Sequence, residues 1–461
     1  MHPQLAPQEI PALKLSVRGP VFAPTDAGFS DEVTAFNLAA RHTPDLVVGA
    51  MDADDVAAAV AWAAQRGVSI SVQSTGHGAT NDIEGGLLIS TRRMLELDID
   101  PAGMTARAGA GVSWTAVMDA TGPLGLMGLH GSTTDVGVVG YTLGGGLPVM
   151  GRKYGYASDH VTAFDLVTAD GSRQRVTPES DPGLFSLLRG GKGNLGIVTA
   201  LEFKLFPTGE FHAGGIHYPG AFAREVLSAF KDWAPTLPGD VSASLAFLRL
   251  PDLEVVPEPM RGQFFMHLRF AHQGTEAEVA ELLRPMRACD PVAMDAVRPM
   301  PFSEVNSIHQ DPEDPVPFRE NGFMLSRLDD EAVEVLLELL GPGVDSSLLI
   351  ADIRLMGGEL STKPAEGDCV GPRDAAFSYF GVGLAIPPAV DRLPGEHARI
   401  REALAPFSTG GTFINLHGHF GDAEDRARAW TPDAYARLVE AKAELDPQNL
   451  FRHGHGVESS L

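Results

Sequence analysis

Two hydrophobic periods alternate along the first half of the chain. The stretch DADDVAAAVAWAAQRG (52–67) repeats apolar residues at helical spacing. Val56 and Val60 share a face, aspartates open the stretch and Gly67 closes it, which predicts a helix. VSISVQ (68–73) and GGLLIST (85–91) read as short strands, and MTARAGAGVSWTAVMDATG (104–122) reads as strand, glycine-rich turn and helix. AFDLVTADGSRQRVT (163–177) places Asp170-Gly171 between two strand-like runs, a hairpin signal. NLGIVTALEFKLFP (194–207) sets Leu201, Phe203 and Leu205 against Glu202 and Lys204 at a period of two. Helices and strands interleave here without the regular repeat of a doubly wound parallel sheet.

From residue 209 the order is strand then helix, twice, in FHAGGIHYPGAFAREVLSAFKDWAPTLP (211–238) and QFFMHLRFAHQGTEAEVAELLRPM (263–286). A helix at 329–343 and strands at 347–358 and 375–386 follow, with a Pro- and Asp-rich loop at 309–318. This order predicts an antiparallel sheet covered on one side by helices, and an α+β fold overall. The last fifty residues hold one helix, PDAYARLVEAKAELD, and a turn-rich tail, PQNLFRHGHGV. No internal repeat is present.

The length, 461 residues, implies two domains. A net charge of −25, spread along the chain, disfavours nucleic acid and anionic membrane as partners. No apolar run reaches the ~20 residues of a membrane span. The N-terminal stretch has no apolar core of a signal peptide, so the cytoplasm is the expected compartment. Two cysteines, Cys289 and Cys369, make neither a disulfide framework nor a zinc site, and no metal is expected.

Chemistry concentrates in three glycine-rich loops. SVQSTGHGAT (71–80) sets His77 between Gly76 and Gly78. GLHGSTTDVGVVGYTLGGGLPVMGRKYG (128–155) and RGGKGNLGIVT (189–199) follow. Such loops point backbone N–H groups into concavities that hold anions. Neither the GxxxxGK[ST] nor the GxGxxG pattern is present. Three loops in one half of the chain point to one long ligand lying across it.

Taken in order, SVQSTGHGA, TDVGVVGYTLGGG…GRKYG, DLVTADG, LLRGGKGNLGIVT and LDPQNLF resemble the berberine-bridge-enzyme-like FAD-linked oxidases of the vanillyl-alcohol-oxidase and p-cresol-methylhydroxylase superfamily. The resemblance covers about residues 40–208 and the last fifty. It implies a two-part FAD-binding domain from residues 1–208 and 411–461, with a substrate domain at 209–410 whose sheet roofs the flavin. His77 matches the histidine bonded covalently to the flavin 8α-methyl. Ser74, Thr75, Gly76, Gly78, Ser132, Thr133, Asp135, Val136, Gly140, Gly144, Gly145, Gly146, Gly193, Gly196, Ile197, Val198 and Asn415 match the cofactor loops.

The chain departs from that pattern in three places. Thr133 stands where many relatives carry a second, cysteine tether, which implies a single attachment. Leu416 follows Asn415 where a tyrosine base is usual. The tail RHGHGV replaces an Asn-Gln pair. His417 and His419 stand near the missing tyrosine, as substitutes or as loop histidines. In LLIADIRLMGG, Asp352 matches an acidic residue facing the flavin. Alternation puts Arg354 on its face, so Asp352 is either a base or half of a structural pair. Tyr379 is a further pocket candidate.

The implied activity is FAD-dependent oxidation of a small organic substrate (an alcohol, amine or biosynthetic intermediate), with dioxygen reduced to hydrogen peroxide. A flavin dehydrogenase using another acceptor, or a flavin-retaining protein without redox turnover, are the alternatives.

Overall fold

The computed structural model describes residues 10–457 apart from 255, 257 and 420. The N-terminal half builds two small sheets. In the first, strands Leu46–Gly49, Leu87–Ser90 and Ile70–Gln73 run parallel, with Val21–Phe22 antiparallel at the edge. Helix Ala53–Ala64 covers it. Asp52 caps that helix by accepting from the Asp54 and Asp55 N–H groups, and Gly67 takes φ 62° beyond its end. The second sheet is antiparallel, in the order Arg173–Val176, Val161–Val167, Ile197–Lys204, Thr105–Gly109, Leu97–Asp100. The Asp170-Gly171 hairpin is present: Val167 pairs with Arg173 across it. Strand Ile197–Lys204 alternates only toward its end. Its first five residues are all buried because both faces are covered there.

One hydrophobic core gathers residues from Leu13 to Leu205 and from Ile414 to Val457, with Cys369. A second gathers residues from Ile216 to Phe407. The second core fills the space between an eight-stranded antiparallel sheet and helices Ala223–Trp233, Glu276–Arg287, Asp330–Leu340 and Ala389–Leu404. The main strand order is Met294–Asp295, Phe211–Pro219, Phe264–Gln273, Ser242–Arg249, Ile350–Leu355, Phe377–Leu384, Phe318–Leu325. The architecture is the α+β arrangement expected, but the pattern hid two long strands of the large sheet, Ser242–Arg249 and Phe318–Leu325, and one helix, Ala389–Leu404. Strand Phe318–Leu325 begins where the Pro-rich loop was read to end. Helix Ala389–Leu404 carries Pro394 and Gly395 in its interior.

The C-terminal tail is fastened by a fully buried ion pair. Lys442 Nζ lies 3.0 Å from Asp446 Oδ2 and also donates to the carbonyls of Asn194 and Phe451. Asp446 accepts in turn from the Leu450 and Phe451 N–H groups. Removing one partner strands a buried charge, which costs about 3–5 kcal/mol. Lys442→Met should therefore lower the unfolding temperature markedly, as scanning calorimetry would read. A shift as small as that of an exposed lysine would contradict this.

Candidate functional site

The three glycine-rich loops meet. Gly76 sits at φ 79°, and a Cβ there would come within 2.6 Å of Ala35, so only glycine lets the first loop turn beside that segment. The turn presents His77, whose ring stacks on Phe36 at 3.8 Å between centroids. Its Nδ1 is 2.8 Å from Thr75 Oγ1 and its Nε2 3.2 Å from Asp135 Oδ2, in the second loop. Thr133 Oγ1 donates to the other oxygen of Asp135. Burial raises the Asp135 carboxyl, but the bonds from His77 and Thr133 outweigh it and hold the group below its ordinary value.

The second loop reaches the third through Lys192. This lysine takes φ 56°, donates to the Gly140 carbonyl at 3.2 Å and to Asn415 Oδ1, and is pushed down to about 8 by burial. Asn415 Nδ2 donates to the Tyr141 carbonyl at 2.8 Å. Asn194 binds the His455 carbonyl and the Val457 N–H, which locks the tail onto the third loop.

These loops fit a long polar cofactor. A Cβ built on Gly78, Gly140 or Gly193 would meet nothing within 4 Å, so each loop keeps one open backbone edge. Ser74 Oγ, Tyr141 OH and Thr142 Oγ1 are buried without a hydrogen-bond partner among the described residues. Unpaired buried hydroxyls are costly and call for a ligand. Ser132, Val136, Gly144, Gly145 and Gly146 lie in the same second loop. Gly196, Ile197 and Val198 begin the strand that leaves the third.

The large sheet supplies the opposite wall. Register puts Asp352 opposite Ala246 and Arg354 opposite Ser244; Ser244 faces Arg269 on the next strand. These side chains share one face, away from the helices. Asp352 is buried and sits 3.1 Å from Arg269 Nη1 and 3.5 Å from Arg354 Nε. His217 and His267 stack beside them at 4.0 Å. Desolvation, assisted by Arg269, holds His217 down to about 4 and His267 well below its ordinary value, so both are neutral at pH 7. The charge of Arg354 reaches the phenol of Tyr141, which ties this face to the second loop. A cavity of about 30 Å³ lies between the face and residues 147–149, lined in part by Ser244, Arg269, His309 and Arg354.

The structure separates Tyr379 from this group. It pairs with Ile353 and Phe323, stacks on Phe323 at 4.7 Å and points into the helix-covered core. His417 is buried, with Nε2 3.5 Å from Asp425 Oδ2, and Asp425 also binds Arg401 and Arg428. Asp425, Arg401 and Arg428 border one cavity with His419. His419 is exposed, its Nδ1 3.2 Å from the Thr80 carbonyl at the end of the first loop.

Sequence reasoning passed over Glu320. It lies on the edge strand Phe318–Leu325, on the same sheet face as Asp352, with strand Phe377–Leu384 between. It borders a polar cavity of about 490 Å³ shared with Asn321, His397, Arg401 and His419. Desolvation pushes its carboxyl up to about 8. Lys192 and Arg269 were missed as well, although a lysine inside a glycine run was a visible signal.

Comparison with known proteins agrees with this geometry. The FAD binding domain family matches residues 44–177, and the berberine and berberine-like family matches residues 419–458. The (R)-6-hydroxynicotine oxidase of Paenarthrobacter nicotinovorans is 27% identical over 97% of this chain and 98% of its own. An FAD-linked oxidoreductase of Dictyostelium discoideum is 22% identical over 96% of this chain and 95% of its own. Among solved structures, 6-hydroxy-D-nicotine oxidase from Arthrobacter nicotinovorans superposes with a TM-score of 0.81 at 24% identity, covering 96% of this chain and 98% of that one. Xylooligosaccharide oxidase from Myceliophthora thermophila superposes with a TM-score of 0.85 at 21% identity, covering 98% and 99%. Among the described residues no helix is long and apolar enough to cross a membrane, and no cluster fits a metal ion.

Proposed function

We propose that this chain is an oxidase of the berberine-bridge-enzyme-like FAD-linked oxidoreductases, with FAD tethered once, through His77. The observation that carries this reading is the meeting of the three open-edged loops at His77, Asp135 and Lys192. The full-length likeness to an oxidase supports it.

FAD, when bound by these loops, would supply the hydride acceptor and the two-electron route to dioxygen that gives hydrogen peroxide. The chain's own residues do the rest. Ser74, Tyr141 and Thr142 offer unpaired hydroxyls to the cofactor. Lys192 brings an ammonium that links the second and third loops, and Asn415 holds it there. The substrate loses hydride from a carbon that bears O–H or N–H, and the heteroatom proton goes to Glu320. A carboxyl pushed up to about 8 and without a hydrogen-bond partner among the described residues suits that task better than Asp352, whose carboxylate two guanidinium groups already engage.

A panel of small alcohols, amines and acids, mixed anaerobically with the flavoprotein, tests the reading. Bleaching of the flavin by one class, with stoichiometric peroxide once air is admitted, is the expected result. Bleaching without peroxide assigns a dehydrogenase, and no bleaching across the panel assigns a protein without redox turnover.

A further inference from the structure

We propose that Arg269 and Arg354, with Ser244 and His309, form an anion subsite that holds a carboxylate of the substrate. The inference rests on the oxidase reading for the fate of that substrate and names its chemical class. The charge balance on this sheet face comes first. Two guanidinium groups meet a single carboxylate, Asp352; Glu320, farther along the same face, is kept protonated by burial below about pH 8, so the face carries one positive charge in excess. The imidazoles of His217, His267 and His309 add no counter-charge, because neutral imidazole is not an anion. The excess sits in a chain of net charge −25, and Arg269 is 4% exposed. A buried charge without compensation is unstable unless a ligand supplies it.

Unused donors point the same way. Arg269 Nε, Ser244 Oγ and His309 Nδ1 are buried without a partner among the described residues. The Arg354 side chain makes no polar contact among the described residues beyond its ion pair with Asp352. Its side chain is 22% exposed, so the rest of its guanidinium faces open space. All four residues line the same cavity. At about 30 Å³ this cavity takes a small end-group and not a whole substrate. A planar carboxylate matches the fork of a guanidinium and accepts from a hydroxyl beside it. The position of Arg354 within electrostatic reach of Tyr141 sets the subsite next to the cofactor loops. The substrate class that follows is a carboxylic acid whose oxidisable C–H lies beyond its acid end.

Benzoate and its uncharged isostere benzamide, titrated into the flavoprotein and followed by flavin absorbance, test this. Benzoate should bind saturably and benzamide should not. Arg354→Gln should weaken benzoate by about 10- to 100-fold, the size of a lost charge-assisted contact, and Arg354→Lys should restore part of it. Asp352→Asn should tighten benzoate, since it removes the competing carboxylate. A purely structural pair predicts no such gain. Equal binding of benzamide, no binding of benzoate, or unchanged benzoate affinity in Arg354→Gln overturns the proposal. Sulfite, whose flavin adduct is anionic, separates the other use of the charge. Loss of the adduct in Arg354→Gln with benzoate binding intact assigns the arginine to the flavin and overturns the subsite. The oxidase reading fails separately, when acids bind but no compound in the panel bleaches the flavin.

Discussion

In His77→Ala, denatured protein should release all of its flavin, while the unaltered protein keeps a yellow, fluorescent band on a denaturing gel. The expectation follows from how the ring is held. Asp135 is ionised and can only accept, so the proton between it and His77 belongs to Nε2. Nδ1 is then the lone-pair nitrogen, and the Thr75 hydroxyl donates to it. In its neutral form the ring then has one nitrogen proton-bound to a carboxylate and a lone pair on the other, which attacks carbon once the Thr75 hydroxyl releases it, the arrangement a nucleophilic histidine needs. Retention of flavin in His77→Ala would place the tether elsewhere. Asp135→Asn separates the tautomer argument from the mere presence of the ring. Its amide can donate to Nε2 and so move the ring proton to Nδ1. The covalent fraction should then build up more slowly in freshly loaded protein, although His77 is intact. Loading at the normal rate would show that Asp135 only positions the loop.

What the sequence revealed about this site depended on how local the signal was. The His77 loop, the capped helix Ala53–Ala64 and the Asp170-Gly171 hairpin are each set by neighbours within a few residues, and each stands where expected. Asp352 and Arg354 share a face, as alternation along one strand requires. Tyr379 shows where that logic stops. Its side depends on the register of Phe377–Leu384 against Ile350–Leu355, and one residue of slip exchanges the faces. Arg269 was out of reach for a related reason. It meets Asp352 only because Phe264–Gln273 and Ile350–Leu355 flank the same strand, Ser242–Arg249, from opposite sides. Glu320 was hidden more simply. HQDPEDPVPF reads as a loop, and its prolines together with the charges of Arg319 and Glu320 just after it mask a strand whose hydrogen bonds lie mainly on one side, where it pairs as the sheet edge.

Glu320→Gln should slow anaerobic flavin reduction by about 10²- to 10⁴-fold, the usual contribution of a positioned base. The amide keeps the shape and cannot take a proton. In the unaltered protein the reduction rate should rise with pH and level off above about 8, where the carboxylate forms. In the variant that rise should vanish. The groups that border the same cavity are Arg319 on the edge strand, His397 and Arg401 on helix Ala389–Leu404, and His419, Asp422, Glu424, Asp425 and Arg428 after it. Arg401 and Arg428 are spent on Asp425, and burial holds His397 down to about 4, so none of these three imposes a transition near pH 8. Stability gives an independent readout with a fixed sign. The folded protein keeps a proton on Glu320 that an unfolded chain loses near pH ~4.3. Folding stability from this group is therefore full below that value and falls as pH rises toward about 8. Glu320→Gln abolishes that loss, so its unfolding temperature should exceed that of the unaltered protein at pH 9 and match it at pH 4. A slow variant whose pH–rate profile still rises through 8 would move the base to another residue. A variant with an unchanged rate would return Asp352 to that role.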